Sequence, residues 1–274
     1  MKHATVLRAS GFIGSHLSAE LKRRGHEVAT PARDADLTGE DLGTVFYCIG
    51  LTGDARRRPL EAVEAHVVKL SEVLRRGRFD QLVYLSSTRL YLGARTGRED
   101  EALRVDPADP GHLFNLSKAA GESLVLEGER PGRVARLSNV YGPDWESESF
   151  LPTILTAACR DGAVTILDAP ESAKDYVHVE DAVAALIGIA TDGKERVYNV
   201  ASGRNVSHGE IADELARLTG ALIEFGADPA AIVFPPIDTA RLRSDLAFSP
   251  RMLLEDLPEL VEDFRRSAAL EAER

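Results

Sequence analysis

The sequence predicts an α/β fold, with a doubly wound parallel sheet followed by a small C-terminal lobe. Short apolar runs alternate with longer helical patterns through the first half of the chain, which is typical of strands joined by helical crossovers. The run at residues 45–49 is continuously apolar, as expected for a strand that is buried on both faces. The clearest runs are residues 4–7, 45–49, 82–85 and 134–137. Beyond Phe150 the alternation becomes less regular, which indicates the start of the second lobe.

A glycine-bearing turn joins the first strand to the first helix. Gly11 and Gly14 follow the first apolar run, at the start of a pattern in which Ile13, Leu17 and Leu21 recur every fourth residue. That spacing places the three side chains on one face of a helix. A strand, a glycine turn and a helix in this order present backbone amides to a pyrophosphate, as in dinucleotide-binding folds.

The turn departs from the usual pattern at its first glycine, because Arg8 occupies that position. A side chain there can crowd the pyrophosphate, and a left-handed backbone is unfavourable for an L-residue. The guanidinium could instead pair with a phosphate. Reduced binding and ordinary binding of a cofactor therefore both stay open. The candidate cofactor-binding residues at this turn are Arg8, Ser10, Gly11, Phe12, Ile13 and Gly14.

The second predicted strand, residues 27–32, is followed by Arg33. An arginine at this point favours a 2′-phosphate, so NADP is slightly preferred over NAD, although a solvent-facing arginine explains the residue equally well. Asp36 and Leu37 follow almost at once. We therefore expect the usual third strand and its helix to be shortened or missing, and we include Arg33, Asp36 and Leu37 among the candidate cofactor-binding residues.

Four helices are predicted further along the chain, and three of them carry clear boundary signals. Pro59 is well suited to the first turn of a helix. A second helix is predicted at residues 113–127. Asp181 is a candidate helix cap, and Ser207 with Glu210 forms a capping-box pattern. The predicted core face of the helix that begins at Pro59 consists of Leu60, Val63, Val67, Leu70 and Leu74.

Composition excludes several classes of function. The 274 residues carry a formal net charge of −11, which argues against nucleic acid or an anionic membrane as the main partner. Two cysteines cannot form a disulfide framework, and His178 has no partners at metal-ligand spacing, so we predict no metal. No apolar run reaches membrane-spanning length and the N-terminus reads as a strand, so we expect a cytoplasmic protein.

Six sequence blocks, in order, resemble the extended short-chain dehydrogenase/reductases, the NAD-dependent epimerase/dehydratase family. The resemblance covers nearly the whole chain. It implies a Rossmann-like NAD(P)-binding domain in residues 1–150 and a mainly substrate-binding lobe in residues 151–274, interwoven with the first. It also implies a nucleotide-linked sugar as substrate and a homodimer formed through helices such as 60–76 and 113–127. The blocks are residues 11–14, 84–87, 117–122, 136–143, 175–181 and 198–203.

The chemistry of this family needs a serine or threonine that orients the substrate, a tyrosine that moves a proton, and a lysine four residues after the tyrosine. Residues at i and i+4 share one face of a helix. Ser87 matches the serine and Lys118 matches the lysine, which also holds the nicotinamide ribose, but Phe114 stands in place of the tyrosine. Phenylalanine has no proton to transfer, and general acid–base catalysis contributes roughly 10²–10⁴-fold.

The resemblance also suggests residues that contact substrate. Thr88 and Arg89 follow Ser87, where similar sugar-nucleotide dehydratases have an Asp-Glu pair, and this weakens the dehydratase interpretation. For several candidates a structural role is the competing interpretation, since tyrosine and asparagine side chains near strand ends often serve local hydrogen bonding. The candidate substrate-binding residues are Thr88, Tyr91, Asn139, Tyr176 and Arg241.

Three functional hypotheses follow. The first is an NAD(P)-dependent epimerase/dehydratase-family enzyme whose redox activity is altered or reduced because Phe114 replaces the tyrosine. The second is a cofactor-independent isomerase, lyase or cyclase that keeps the fold without hydride transfer. The third is a non-catalytic ligand-binding protein. Cofactor titration distinguishes the first hypothesis from the others.

Overall fold

Six parallel strands form the central sheet of the computed structural model, which describes residues 1–51, 57–226 and 231–272. In chain order the strands of the described residues are β1 (His3–Leu7), β2 (Glu27–Ala29), β3 (Thr44–Tyr47), β4 (Gln81–Ser87), β5 (Gly132–Leu137), β6 (Asn139–Tyr141), β7 (Ala163–Ile166), β8 (Ala173–His178), β9 (Val197–Val200), β10 (Asn205–Ser207) and β11 (Leu222–Phe225). The order of the six strands in the central sheet is β2-β1-β3-β4-β5-β9. The predicted α/β fold with a parallel sheet is confirmed.

Helices cover both faces of this sheet, which explains why its central strands are largely buried. Leu17 and Leu186 pack on one face, and Leu70 and Val125 pack on the other. The helices are α1 (Phe12–Arg23), α2 (Pro59–Val63), α3 (Lys69–Arg76), α4 (Leu113–Glu127), α5 (Phe150–Arg160), α6 (Val179–Thr191), α7 (His208–Thr219), α8 (Ala240–Leu246) and α9 (Leu253–Ala272). No helix in the described ranges is both long enough and apolar enough to span a membrane.

The second part of the structure is built around smaller sheets. Strands β10, β8 and β6 form one of them, and β11 pairs with β7 in the other. Helices α5, α7 and α9 enclose a separate apolar core that includes Leu155, Leu215 and Leu257. Between these elements, α6 and β9 return to the central sheet, so the chain passes more than once between the two parts.

Two strands are shorter than predicted. Strand β2 ends at Ala29 rather than at residue 32, because Pro31 lacks the amide hydrogen that a longer ladder needs. Strand β3 ends at Tyr47 rather than at residue 49, since its partner on β1 is Leu7, the last residue of that strand. Residues 30–43 contain no further strand and β2 is the edge of the sheet, which confirms the missing third strand.

The predicted core face of the helix that begins at Pro59 is partly wrong. Leu60 is 81% exposed, whereas Ala62, His66 and Leu70 are fully buried. A π-helical segment, Glu64–Val68, joins α2 to α3 and changes the phase of the helix, so a regular spacing of three and four residues misassigns the buried face.

The two predicted helix caps have different outcomes. His178, not Asp181, is the N-cap of α6, and its ring accepts a hydrogen bond from the Glu180 amide at 3.2 Å. Asp181 lies in the first turn instead and accepts from the Arg251 amide at 2.9 Å. The capping box at the start of α7 is confirmed, because the Ser207 and Glu210 side chains each bind the other's backbone amide.

Candidate active site

A cleft of about 820 Å³ opens at the carboxyl ends of β1, β3, β4 and β5. Residues at or just after the ends of these strands line the cleft: Arg8 follows β1, Gly50 follows β3, Ser87 ends β4 and Ser138 follows β5. The strand order reverses between β1 and β3, and open parallel sheets bind ligands at such a switch point. The cleft is therefore where the fold itself predicts a ligand.

The glycine turn lies at one end of this cleft. Arg8 has a φ of 63°, which confirms the left-handed conformation predicted for the first glycine position. A Cβ atom on Gly14 would stand 2.3 Å from the Arg8 carbonyl oxygen, so only glycine allows α1 to approach the turn this closely. Gly11 caps α1 without a side-chain hydrogen bond, which leaves the first-turn amides available to an anion.

The Arg8 side chain crosses from the first strand to the third. Its Nη1 donates a hydrogen bond to the carbonyl oxygen of Gly50, in the loop that follows β3. Its Nε lies 3.7 Å from the point that a Cβ on Gly11 would occupy. The guanidinium thus lies over the glycine turn and lines the cleft.

Four predicted cofactor residues do not line the cleft. Ser10 is exposed within the turn, and Arg33 is exposed in a turn beyond β2. The Asp36 carboxylate accepts a hydrogen bond from the Thr38 amide at 3.0 Å, and Leu37 packs against the core beside α3. Their contacts with a cofactor stay predictions, whereas Phe12 and Ile13 contribute to the cleft wall.

Ser87, Phe114 and Lys118 all line the cleft, as the sequence blocks implied. The Ser87 Oγ accepts a hydrogen bond from the Arg89 amide at 3.1 Å. Lys118 is 4% exposed, and its Nζ donates to the Leu85 carbonyl oxygen at 2.8 Å. Burial lowers the pKa of Lys118 to about 7, although the carboxylate of Glu122 acts in the opposite direction. Both the charged and the neutral amine are thus accessible near neutral pH.

Phe114 packs edge-on against a histidine that sequence reasoning missed. The ring centroids of Phe114 and His66 are 5.4 Å apart, and the rings are nearly perpendicular. His66 Nε2 accepts from the Leu51 amide at 3.2 Å, and Nδ1 donates to the Ser117 Oγ at 2.8 Å. Burial, reinforced by the charge of Lys118, lowers the pKa of His66 to about 3, so the ring is neutral.

A signal for His66 was present in the sequence. It lies four residues after Ala62 and four before Leu70, so a polar ring stands in the middle of an apolar helical stripe. The stripe could be recognised only with the correct phase, because the face predicted from Leu60 is offset from it.

Two predicted substrate residues line the main cleft. Asn139 Nδ2 donates to the Asp175 carbonyl oxygen at 2.8 Å. Tyr176 is buried, and among the described residues its hydroxyl has no hydrogen-bond partner. Thr88 lies in an adjoining cavity of about 90 Å³, which Ser87 and Asn139 also line.

The other two predicted substrate residues lie elsewhere. Tyr91 is fully buried, and its hydroxyl donates to Asn199 Oδ1 at 2.8 Å and accepts from Arg136 Nη1 at 2.7 Å. Arg241 pairs with the buried Glu99 at 3.6 Å. Neither lines the cleft, so these substrate contacts are not supported.

Sequence reasoning also missed two basic residues of the adjoining cavity. Lys174 on β8 and Arg89 after β4 both line it, and Arg89 lines the main cleft as well. Burial lowers the pKa of Lys174, whereas the nearby Asp168 opposes this shift. The position of Lys174 immediately before the block at 175–181 was the available signal.

The fold and the cleft together define an enzyme of the extended short-chain dehydrogenase/reductase type, in which a glycine turn, a serine and a helical lysine meet at the strand ends. The chain belongs to the NAD-dependent epimerase/dehydratase family, whose sequence profile matches residues 4–201.

Similar proteins of this family are sugar-nucleotide enzymes. The chain is 27% identical to dTDP-4-dehydro-6-deoxy-D-allose reductase from a Streptomyces species over 310 aligned residues, covering 95% of each protein. It is 28% identical to dTDP-glucose 4,6-dehydratase of Streptomyces niveus over 210 residues, covering 73% of this chain and 62% of the relative. The structure of MoeE5 in complex with UDP-glucose and NAD is similar with a TM-score of 0.81 and 26% identity, over 97% of this chain and 99% of MoeE5.

Proposed function

We propose that this protein binds a nicotinamide dinucleotide along the glycine turn and acts on a nucleotide-linked sugar in the same cleft. The observation that carries the proposal is the convergence of the turn, Ser87 and Lys118 on one cleft. Ser86 and Tyr176 also line the cleft, and their buried hydroxyl oxygens have no hydrogen-bond partner in the described residues. Buried polar atoms of this kind normally have partners, so their presence fits a polar ligand.

Each cleft residue has a distinct role in this proposal. A bound nicotinamide dinucleotide supplies the hydride donor or acceptor. Ser87 orients a substrate hydroxyl or carbonyl through its Oγ, and Lys118 holds the nicotinamide ribose through its Nζ. Phe114 occupies the position of the tyrosine and supplies shape but no proton. The redox step is therefore slow unless a proton reaches the substrate by another route.

The substrate diphosphate would lie toward the adjoining cavity. Arg89 and Lys174 provide positive charge there, and Asn139 provides an amide. Basic and amide groups of this kind are suited to phosphate oxygens. Tyr176 would face the same substrate from the main cleft. The UDP-glucose of the MoeE5 structure supports a nucleotide sugar as the substrate class.

We expect the protein to prefer NADP slightly over NAD. Arg33 follows the edge strand β2 and is exposed, so its guanidinium is free to reach a 2′-phosphate of the adenosine ribose.

Titration with NADH and with NADPH, followed by nicotinamide fluorescence, tests both statements. We expect micromolar binding, and Arg33→Ala should weaken the binding of NADPH while leaving NADH almost unchanged. Arg75→Ala, which removes an exposed arginine at the end of α3, is the matched control. Absence of binding of either dinucleotide at millimolar concentration would overturn the proposed function.

We further propose a homodimer formed through the α2–α3 and α4 region. Leu60, Val68 and Leu124 are large apolar side chains exposed on this surface, which is expected of a face that a second copy covers. Analytical ultracentrifugation should give a dimer for the wild type and a monomer for Leu60→Glu combined with Leu124→Glu. Leu167→Glu, a change at an exposed leucine on the second lobe, is the control. A monomeric wild type contradicts the proposal.

A second candidate function rests on Phe114. Since the ring has no ionisable group and is 7% exposed, the cleft lacks the usual proton donor of the family. A cofactor-independent isomerase, lyase or cyclase, or a non-catalytic ligand-binding protein, is therefore the alternative. Turnover of nucleotide sugars without added nicotinamide distinguishes the first of these alternatives from the second.

A further inference from the structure

Arg8 adopts a backbone conformation that L-residues avoid, and its side chain reaches the loop that follows β3. At a φ of 63°, glycine would be the favourable residue. The guanidinium lies over the turn, where Nη1 donates to the Gly50 carbonyl oxygen and Nε lies close to Gly11. The side chain is thus directed along the cleft.

This position lies across the switch point of the sheet. Arg8 follows β1 and Gly50 follows β3, the two strands between which the order reverses. The N-terminus of α1, with Gly11 as its cap, lies directly beneath the guanidinium. Helix amides and a positive charge therefore converge on the same part of the cleft.

The guanidinium has capacity for a further ligand. An arginine side chain carries five N–H donors, and within the described ranges the Gly50 carbonyl oxygen is its one hydrogen-bond partner. Lys118 adds a second positive charge nearby, since its Nζ lies 3.5 Å from the point that a Cβ on Gly50 would occupy. The charge of Arg8 contributes to lowering the pKa of Lys118, after the larger effect of burial, so the two cations repel each other. An anion between them would relieve that repulsion.

We propose that Arg8 is a direct ligand of the dinucleotide diphosphate, and that its guanidinium replaces the close backbone approach that a glycine at this position would allow. The inference rests on the proposed function, because it assigns a binding residue for that cofactor. The planar fork of an arginine matches two phosphate oxygens. The same side chain also ties the ends of β1 and β3 together, which positions the fork before the ligand arrives.

The affinity for NADH, measured by nicotinamide fluorescence for two Arg8 variants and one control variant, tests this inference. Arg8→Gln should weaken binding roughly 10- to 100-fold, as expected for the loss of a charge-assisted hydrogen bond. Arg8→Gly should also weaken binding, although it relieves the left-handed backbone. Arg23→Gln, which removes an exposed arginine at the other end of α1, should leave the affinity unchanged. The wild type should also lose affinity with added salt more steeply than Arg8→Gln.

Different results would overturn the inference and the proposed function. Equal or tighter binding by Arg8→Gly and Arg8→Gln would overturn the inference and show that the arginine obstructs the turn, while the proposed function would stand. No binding by the wild type would overturn the proposed function itself. Thermal unfolding of each variant establishes that the fold is intact. Arg8→Gly restores the residue favoured at this φ, so the Arg8→Gly variant remains informative if Arg8→Gln is unstable.

Discussion

Phe114→Tyr is expected to raise the rate of dinucleotide-dependent turnover by roughly 10²- to 10⁴-fold. The substitution adds one hydroxyl to a ring that already lines the cleft four residues before Lys118 on α4. A lysine ammonium beside the phenol favours the phenolate, so the new group can take or give a proton near neutral pH. Single-turnover nicotinamide absorbance, together with product analysis for reactions that return the hydride to the substrate, measures the rate with UDP-glucose and dTDP-glucose as trial substrates.

Two double variants test whether the gain comes from the proposed machinery. Adding Lys118→Met or Ser87→Ala to Phe114→Tyr should remove most of the gain, because each removes a neighbour that the phenol needs. Phe114→Leu serves as the control for the loss of ring shape without a new hydroxyl. If Phe114→Tyr binds NADH normally and gains no rate with either substrate, this active-site assignment is wrong and the cofactor-independent alternative becomes the better explanation.

Glu122→Ala is expected to lower the free energy of unfolding by about 3–5 kcal/mol, because it leaves a buried charge without its partner. The carboxylate of Glu122 lies 2.7 Å from Arg136 Nη2, and the two side chains are 4% and 6% exposed. Burial acts to lower the pKa of Arg136, but the hydrogen bonds and the charge of Glu122 outweigh burial and raise this pKa above its ordinary value. The guanidinium therefore stays charged. Urea unfolding at neutral pH measures the effect.

Loss of this ion pair should also affect the cleft, since Glu122 lies on the same helix as Phe114 and Lys118. Replacing both partners, as Glu122→Met with Arg136→Met, should cost less stability than Glu122→Ala alone, because no charge is left buried. Glu214→Ala, which breaks the exposed pair with Arg217, should leave the free energy of unfolding almost unchanged. A small effect of Glu122→Ala, comparable to that of Glu214→Ala, contradicts the prediction.

Most of the fold could be predicted because the signals are local. Residues 113–127 have a helical apolar pattern and form α4 with the same bounds. The Ser207 and Glu210 capping box needs only four consecutive residues, and the structure contains it. The end of β3 was less predictable, because this strand ends where its neighbour in the sheet stops pairing. That neighbour is remote in the sequence.

Some residues of the candidate site could likewise be predicted from the sequence, whereas others could not. The glycine turn and Ser87 could be assigned to one cleft, because the carboxyl ends of parallel strands lie on one edge of the sheet. Lys118 lies within α4 and was assigned through the family resemblance. Tyr91 and Arg241 could not be excluded, since their partners, Asn199 and Glu99, lie more than a hundred residues away along the chain.

Local patterns in this chain were sufficient for the parallel sheet and the glycine turn, because each depends on neighbouring residues, and the family resemblance identified Phe114 at the position of the tyrosine. Long-range packing alone placed His66 against Phe114 and lowered its pKa, and buried Lys118 enough to bring its pKa near neutrality. It also directed the Arg8 side chain to the Gly50 carbonyl oxygen. The orientation of a side chain and its electrostatic environment depend on atoms from distant segments, which come together only when the chain folds.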